Sequence, residues 1–258
     1  MQELTSRENK LLKLVRSLQS KKGRIENGLY FAEGRRMADE ALTYAYDRIE
    51  MVLVSDSFVG KHSDYIRAIE EGGKTLFRTS EKLFKECCDT ETPQGIGVLL
   101  RMENKEPSLP DSKFLLVLDG VSEPGNLGTI VRTAEAVGVD GILLMKGCAD
   151  LYNPKVVRST MGSLFRVPCM TGVAPEYLTE CKRNGFFVTA TALYDSVSLA
   201  DAVKKEKQML VIGSEAAGVS KEVLSLADQC IRIPMAGKVE SLNAAVAAGI
   251  AMYGFRQG

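Results

Sequence analysis

Phe114-Leu115-Leu116-Val117-Leu118-Asp119-Gly120-Val121-Ser122-Glu123-Pro124-Gly125-Asn126-Leu127-Gly128-Thr129-Ile130-Val131-Arg132 is the stretch on which the fold turns. Its first five residues are an unbroken apolar run, as expected of a strand covered on both faces, and such strands belong to parallel sheets flanked by helices. Residues 119–126 hold two glycines and a proline and read as a shaped turn. Helical spacing follows over 127–137. Asn126 is placed to cap that helix, and Arg132 falls on its second turn, back towards the loop. A helix N-terminus beside a guanidinium suits an anion, for which a backbone phosphate is the natural guest.

Downstream the pattern repeats, with strands expected at 141–145, 186–190, 209–212 and 230–233. Helices are expected near 154–161, at 221–227, and from 241 to about 255. Strands alternating with helices give an α/β fold with a mostly parallel sheet. Upstream, Leu4, Leu11, Leu12, Val15 and Leu18 recur at helical spacing with Arg7, Lys10, Lys13 and Arg16 between them, so residues 1–33 read as helical and basic. Lys21, Lys22 and Arg24 continue the basic run, and Phe31-Ala32-Glu33-Gly34-Arg35-Arg36 leads into a second helical pattern. Strands at 49–55, 74–77 and 95–101 alternate with helices at 62–71 and 81–87. The polar, proline-punctuated segment 104–112 is the best linker, which sets a small domain at 1–104 and a larger one at 113–258.

Bulk composition limits the partners. The chain has 258 residues, 33 basic against 33 acidic, so a nucleic-acid partner needs a local patch and cannot rest on total charge. The first residues are charged and carry no apolar signal core. The longest apolar stretch is shorter than the roughly 18–20 residues that cross a bilayer, so the expected location is the cytoplasm. Six cysteines without CxxC spacing and a single histidine, His62, offer no metal set, and the cysteines read as small core residues in a reducing compartment.

In open parallel sheets, ligands bind beyond the carboxyl ends of the strands. After the strand at 209–212 comes Gly213-Ser214-Glu215-Ala216-Ala217-Gly218-Val219-Ser220, where small residues expose the backbone, Glu215 sets a carboxylate and Ser220 caps a helix. After 230–233 comes Pro234-Met235-Ala236-Gly237-Lys238-Val239-Glu240-Ser241-Leu242-Asn243, with Ser241 a plausible cap. The helix beyond it carries Ala244, Ala245, Ala247, Ala248 and Gly249, a face so small that a backbone or a second subunit must pack closely against it. Thr191 lies in a fourth, plainer loop.

Together these loops resemble the SpoU (TrmH) family of RNA 2′-O-ribose methyltransferases. The family's segments stand in order as Asn126-x-Gly128-x-x-x-Arg132, Gly213-x-Glu215-x-x-Gly218, and Ile233-Pro234-Met235 with Ser241-Leu242-Asn243. Residues 157–165 also look like a family segment, and the first hundred residues resemble the substrate-binding domain, similar to a small ribosomal-protein fold, that many members carry. The resemblance implies a C-terminal α/β-knot domain (a trefoil knot), a homodimer, S-adenosylmethionine as methyl donor, and RNA as acceptor. The ribosomal-protein likeness favours ribosomal over transfer RNA.

It implies cofactor contacts from Thr191, Gly213, Ile233, Met235 and Leu242. Glu215 would order the site, and Asn126, Ser241 and Asn243 would orient the ribose and Arg132. Family accounts give Arg132 the task of activating the hydroxyl, as a base. A guanidinium with a pKa above about 12 is a poor base, and gripping phosphate while stabilising the developing alkoxide is the physically preferred role. Arg7, Lys10, Lys21, Lys22, Arg24, Arg35 and Arg36 would hold the RNA backbone. Two rivals are a non-catalytic RNA-binding or ribosome-associated protein of the same fold and a Rossmann-type nucleotide enzyme. The first should have lost Arg132, Asn126 or Asn243, and the second should show a glycine-rich turn where this chain has Asn-x-Gly.

Overall fold

The computed structural model describes residues 1–239 and 241–256. Its first elements are β1 (Gln2–Leu4), α1 (Lys10–Ser17), α2 (Lys21–Asn27), β2 (Leu29–Glu33), α3 (Arg35–Tyr44) and β3 (Ile49–Ser55). Then come α4 (Asp56–Lys61), α5 (Ser63–Glu71), β4 (Leu76–Thr79), α6 (Glu81–Glu86) and β5 (Ile96–Arg101). The middle of the chain forms β6 (Phe114–Asp119), α7 (Pro124–Val137), β7 (Gly141–Met145) and α8 (Pro154–Ser159). It ends with β8 (Cys169–Val173), α9 (Pro175–Arg183), β9 (Phe187–Thr191), β10 (Val197–Ser198), β11 (Gln208–Gly213), α10 (Lys221–Leu226), β12 (Gln229–Arg232) and α11 (Ala244–Phe255). Two compact units result: Met1–Glu103 with Tyr152–Phe165, and Asn104–Leu151 with the chain from Arg166 onward.

The first unit is built on a five-stranded sheet in the order β1-β4-β3-β5-β2, with β2 and β3 antiparallel to β5 and the other pairs parallel. Residues 1–33 are therefore not helical throughout. The helical period of α1, which buries Leu12 and Val15, ends at Leu18. Gly28, at φ 63°, closes α2 in the left-handed region and releases the chain into β2. Gly97 is required on β5: a Cβ there would lie 2.1 Å from the Phe31 ring. Residues 152–165 complete this unit, with Tyr152 4.6 Å from the Tyr30 ring, Val156 and Val157 buried, and Arg158 paired to Asp89 at 2.9 Å.

The second unit is a seven-stranded sheet, β10-β12-β9-β11-β6-β7-β8, parallel at every pair. Every residue of β6 is buried, as its apolar run requires. Polar side chains, of which Thr189 and Gln208 are buried, tie the strands together. Thr189 Oγ1 on β9 accepts from Gln208 on β11 at 2.7 Å and from Gln229 on β12 at 2.9 Å. Asp140 Oδ2 accepts from the backbone N–H groups of Lys113 and Phe114, anchoring the start of β6. The chain proceeds from β6 to β7 on one side and sets β11 on the other, so the topological switch lies between β6 and β11.

Three details of the sequence reading are corrected. The cap of α7 is Glu123, whose side chain accepts from Gly125 N, because Pro124 is the first helical residue. Asn126 is thereby inside the first turn, and Arg132 is on the third. The cap of α11 is Asn243, accepting from Ala245 N and Val246 N, so Ser241 lies outside the helix. β8, α9 and β10 were not foreseen, since Cys169–Val173 has neither an apolar run nor strict alternation. The small face of α11 packs on α7 and β11, with Ala244, Ala245, Ala248, Ala251, Met252 and Phe255 buried.

Candidate active site

The loops leaving β6 and β11 are tied at their bases. Asp119, the last residue of β6, is buried and accepts from Ser220 N at 2.7 Å, reaching across to the end of the β11 loop. Within that loop Ser214 and Gly218 pair through two backbone hydrogen bonds of 3.0 Å, turning residues 214–218 into a tight hairpin. Gly213 is obligatory here, because a Cβ would lie 2.1 Å from Gly218 C and from Val219 N, both backbone atoms. Gly218, at φ 70°, takes the left-handed turn that the hairpin needs.

The hairpin aims Glu215 at α7. Glu215 Oε1 accepts from Asn126 Nδ2 at 2.8 Å, and Oε2 accepts from Ser122 N at 3.4 Å. Asn126 Oδ1 in turn accepts from Asn243 Nδ2 at 2.9 Å, while Asn243 Oδ1 caps α11 at 2.9 Å from Ala245 N. A continuous relay thus joins the β11 hairpin, the first turn of α7 and the first turn of α11. Partial burial pushes the Glu215 carboxyl up, but hydrogen bonds from Asn126 and the backbone N–H groups of Ser122 and Glu123 outweigh it and hold the group below its usual range. As an ionised acceptor it fixes which way both amides point, donor towards Glu215 at each step.

Around this relay the structure places the other sequence-expected residues unevenly. Thr191 ends β9, its hydroxyl donating to Val211 O at 3.2 Å. Ile233, Met235 and Leu242 are half-buried on the segment after β12, and Ser241 is exposed. Arg132 is exposed and has no ion pair among the described residues. Asp119 and Ser122 were missed by sequence reasoning. Asp119 had a signal, as the polar residue closing an apolar strand, whereas Ser122 acts only through its backbone.

The basic residues of the first unit also divide. Lys10, Lys21, Lys22 and Arg36 are exposed, with Lys22 near Glu26 at 3.7 Å. Arg7 pairs with Glu86 at 2.9 Å, and Arg35 lies 3.5 Å over the Tyr65 ring while pairing with Asp39. Arg24 leaves the set of RNA-gripping residues. It is 2% exposed, and its guanidinium donates to the carbonyls of Leu18 and Gln19 at 2.6 and 3.0 Å. Among the described residues no helix is long and apolar enough to cross a membrane, and no group of three or more His, Cys, Asp or Glu is placed to hold a metal.

A parallel sheet with its ordered polar relay at the topological switch defines an α/β protein working at the carboxyl edge of its strands. Residues 113–253 match the SpoU rRNA methylase family and residues 9–97 the MRM3-like substrate-binding domain. The chain belongs to the SpoU rRNA methylase family. It is 35% identical to the 23S rRNA (guanosine(2553)-2′-O)-methyltransferase RlmP of Bacillus subtilis over 99% of this chain and 100% of that protein. Among solved structures, the AdoMet-bound rRNA methyltransferase from Sinorhizobium meliloti superposes with a TM-score of 0.87 at 31% identity, covering 99% of this chain and 97% of that one. The SpoU methyltransferase AviRb from Streptomyces viridochromogenes, in complex with AdoMet, gives 0.82 at 25% identity, over 95% and 97%.

Proposed function

We propose that this chain methylates a ribose 2′-hydroxyl of ribosomal RNA, of the 23S type, with S-adenosylmethionine as donor. The observation that carries the reading is the Glu215–Asn126–Asn243 relay, which locks the three family segments into one site. Its test is incubation of the full chain with labelled S-adenosylmethionine and an unmodified 23S rRNA transcript. Label is expected at one 2′-O-methylated nucleotide, and absence of any incorporation with cofactor bound would favour the non-catalytic RNA-binding alternative.

The residues present suit the cofactor. Ile233, Met235 and Leu242 offer half-buried apolar surface for a base. At Gly218 and Gly237 a Cβ would meet nothing within 4 Å, so the backbone there is bare and open to a ligand. With Thr191 and Gly213 these residues would hold it, and the bound group would supply an electrophilic methyl on a sulfonium.

The chain's own residues then align the hydroxyl, whose proton passes to solvent water at this exposed edge as its oxygen takes the methyl. The relay consumes the side chains of Asn126 and Asn243, so these are positioning residues, holding the mouth of α7 against the hairpin. Arg132, on α7 and free of carboxylates among the described residues, is the cation assigned to grip the phosphate and stabilise the forming alkoxide. Arg132→Ala should lose methylation with cofactor affinity retained, and Arg132→Lys should restore only part of it, since a point charge replaces a fork. Near-full activity in Arg132→Ala would remove the residue from the mechanism.

Arg7, Lys10, Lys21, Lys22, Arg35 and Arg36 form the electrostatic grip on RNA, in the unit matched to a substrate-binding domain. A homodimer is supported by Val246, Ile250 and Tyr253, 51%, 40% and 53% exposed at helical spacing on α11, an apolar stripe left bare in one chain. The trefoil knot and a cytoplasmic location complete the reading.

A further inference from the structure

The loop after β9 has an unusual course. β10 pairs with β12 on the side away from β9, so the chain leaving Thr191 must cross the carboxyl end of β12 before entering Val197. Residues 192–196 make that crossing as an arch bolted at both feet. Ala192 N donates to Ile231 O at 2.9 Å, and the Arg232 guanidinium donates to Ser196 O. Asp195 sits at φ 48°, in the left-handed region that L side chains enter rarely. A loop so held is shaped, and what it presents is apolar: Leu193 is 69% exposed and Tyr194 84%.

Tyr194 stands directly beside the half-buried Ile233 and Thr191 segments in chain and sheet order, but it is not part of their inner surface. Among the described residues it makes no ring or cation contact and no side-chain hydrogen bond. The other large exposed aromatic of this unit, Tyr253, lies on α11. A 2′-hydroxyl presented at this edge arrives with its base attached to the same ribose. A base drawn out of a helical stack loses its neighbours, and proteins that act on single nucleotides replace them with aromatic rings.

We propose that Tyr194 is the ring on which the base of the methylated nucleotide stacks. It is a rim residue carried by an arch over β12, a positioning group for the RNA rather than a wall of the cofactor site. The inference rests on the methyltransferase reading above and adds the side on which the target base lies.

The test compares full-length wild type, Tyr194→Ala and Tyr194→Phe with an unmodified 23S rRNA transcript. It reads kcat/KM for the transcript, the calorimetric Kd for S-adenosylmethionine, and mass by light scattering. Tyr194→Ala should lower kcat/KM for RNA about five- to hundredfold. Cofactor affinity and mass should stay as in wild type, and Tyr194→Phe, which keeps the π-face, should stay within about threefold. Unchanged kinetics in Tyr194→Ala would overturn the proposal. So would a parallel loss of cofactor affinity, which makes the ring a cofactor wall, or a drop in mass, which makes it a subunit contact. A wild-type chain that neither binds the cofactor nor methylates RNA would overturn the functional reading and this proposal together.

Discussion

Replacing Asn126 by aspartate tests the relay through its electrostatics. The substitution keeps the shape of the side chain and turns the donor that faces Glu215 Oε1 at 2.8 Å into a carboxylate oxygen. Two unit charges about 3 Å apart repel by about 1.4 kcal/mol in bulk water and about 5.5 kcal/mol at an effective dielectric of 20. Glu215 is exposed, which places the penalty near the lower end, at about 1.5–3 kcal/mol. That corresponds to a loss of roughly ten- to hundredfold in kcat/KM if the relay holds the productive site.

The pH dependence carries the sign. A carboxyl beside a carboxylate has a raised pKa, so a proton returns to the pair as pH falls and rebuilds a donor where the amide N–H was. In wild type the Glu215 carboxyl is held below its ordinary 4.5 and does not titrate between pH 5.5 and 8.5. The ratio of wild-type to Asn126→Asp activity should therefore shrink towards pH 5.5. Initial rates of label transfer to 23S rRNA over that range measure it, alongside melting curves at each pH. A flat ratio, or Asn126→Asp activity equal to wild type at pH 8, would refute the relay's role.

Further outcomes follow from the same geometry. Gly213→Ala forces a Cβ against backbone at 2.1 Å, and should cost about 3 kcal/mol, lowering the melting temperature by about 6–12 °C and abolishing calorimetric cofactor binding. Arg24→Ala should destabilise the chain by about 1–3 kcal/mol in denaturant melts by stranding the buried carbonyl of Leu18, whereas Lys21→Glu should leave stability alone and weaken RNA binding at low salt. Because its folded pKa is lowered, Glu215 adds stability that is present above 4.5 and lost as pH falls through the lower folded value; Glu215→Gln should flatten that part of the acid-melting profile. The proposed homodimer predicts that Ile250→Asp will lower the mass of the chain in solution while leaving its circular dichroism unchanged.

The sequence made the larger elements legible where one physical signal dominated. β6 announced itself by five consecutive apolar residues, and the loops around Asn126, Glu215 and Asn243 by glycines, amides and a carboxylate at strand ends. What sequence could not supply was direction. Asn126 and Ser241 were both read as caps because their residue types suit caps, yet Pro124 moved the start of α7 upstream and the paired acceptor of Asn243 took the α11 position. The relay itself depends on contacts 89 and 117 residues apart, which no local pattern encodes. Arg24 illustrates the same limit. Within a basic run it looked like its neighbours Lys21 and Lys22, and only the fold of α1 onto α2 shows that its charge is turned inward to cap carbonyls.

Residues 152–165 have a consequence for how the chain is made. A polypeptide leaves the ribosome from its N-terminus, and domains usually settle as they emerge. Here the first unit is still incomplete when residue 103 appears, since its interior waits for Tyr152, Val156, Val157, Leu164 and Phe165. By the time those residues emerge, β6, α7 and β7 are already outside, the two strands belonging to a sheet whose other members are not yet synthesised. The order of emergence therefore interleaves the two units, and a nascent chain halted after residue 103 should hold its first sheet only loosely until the later segment arrives.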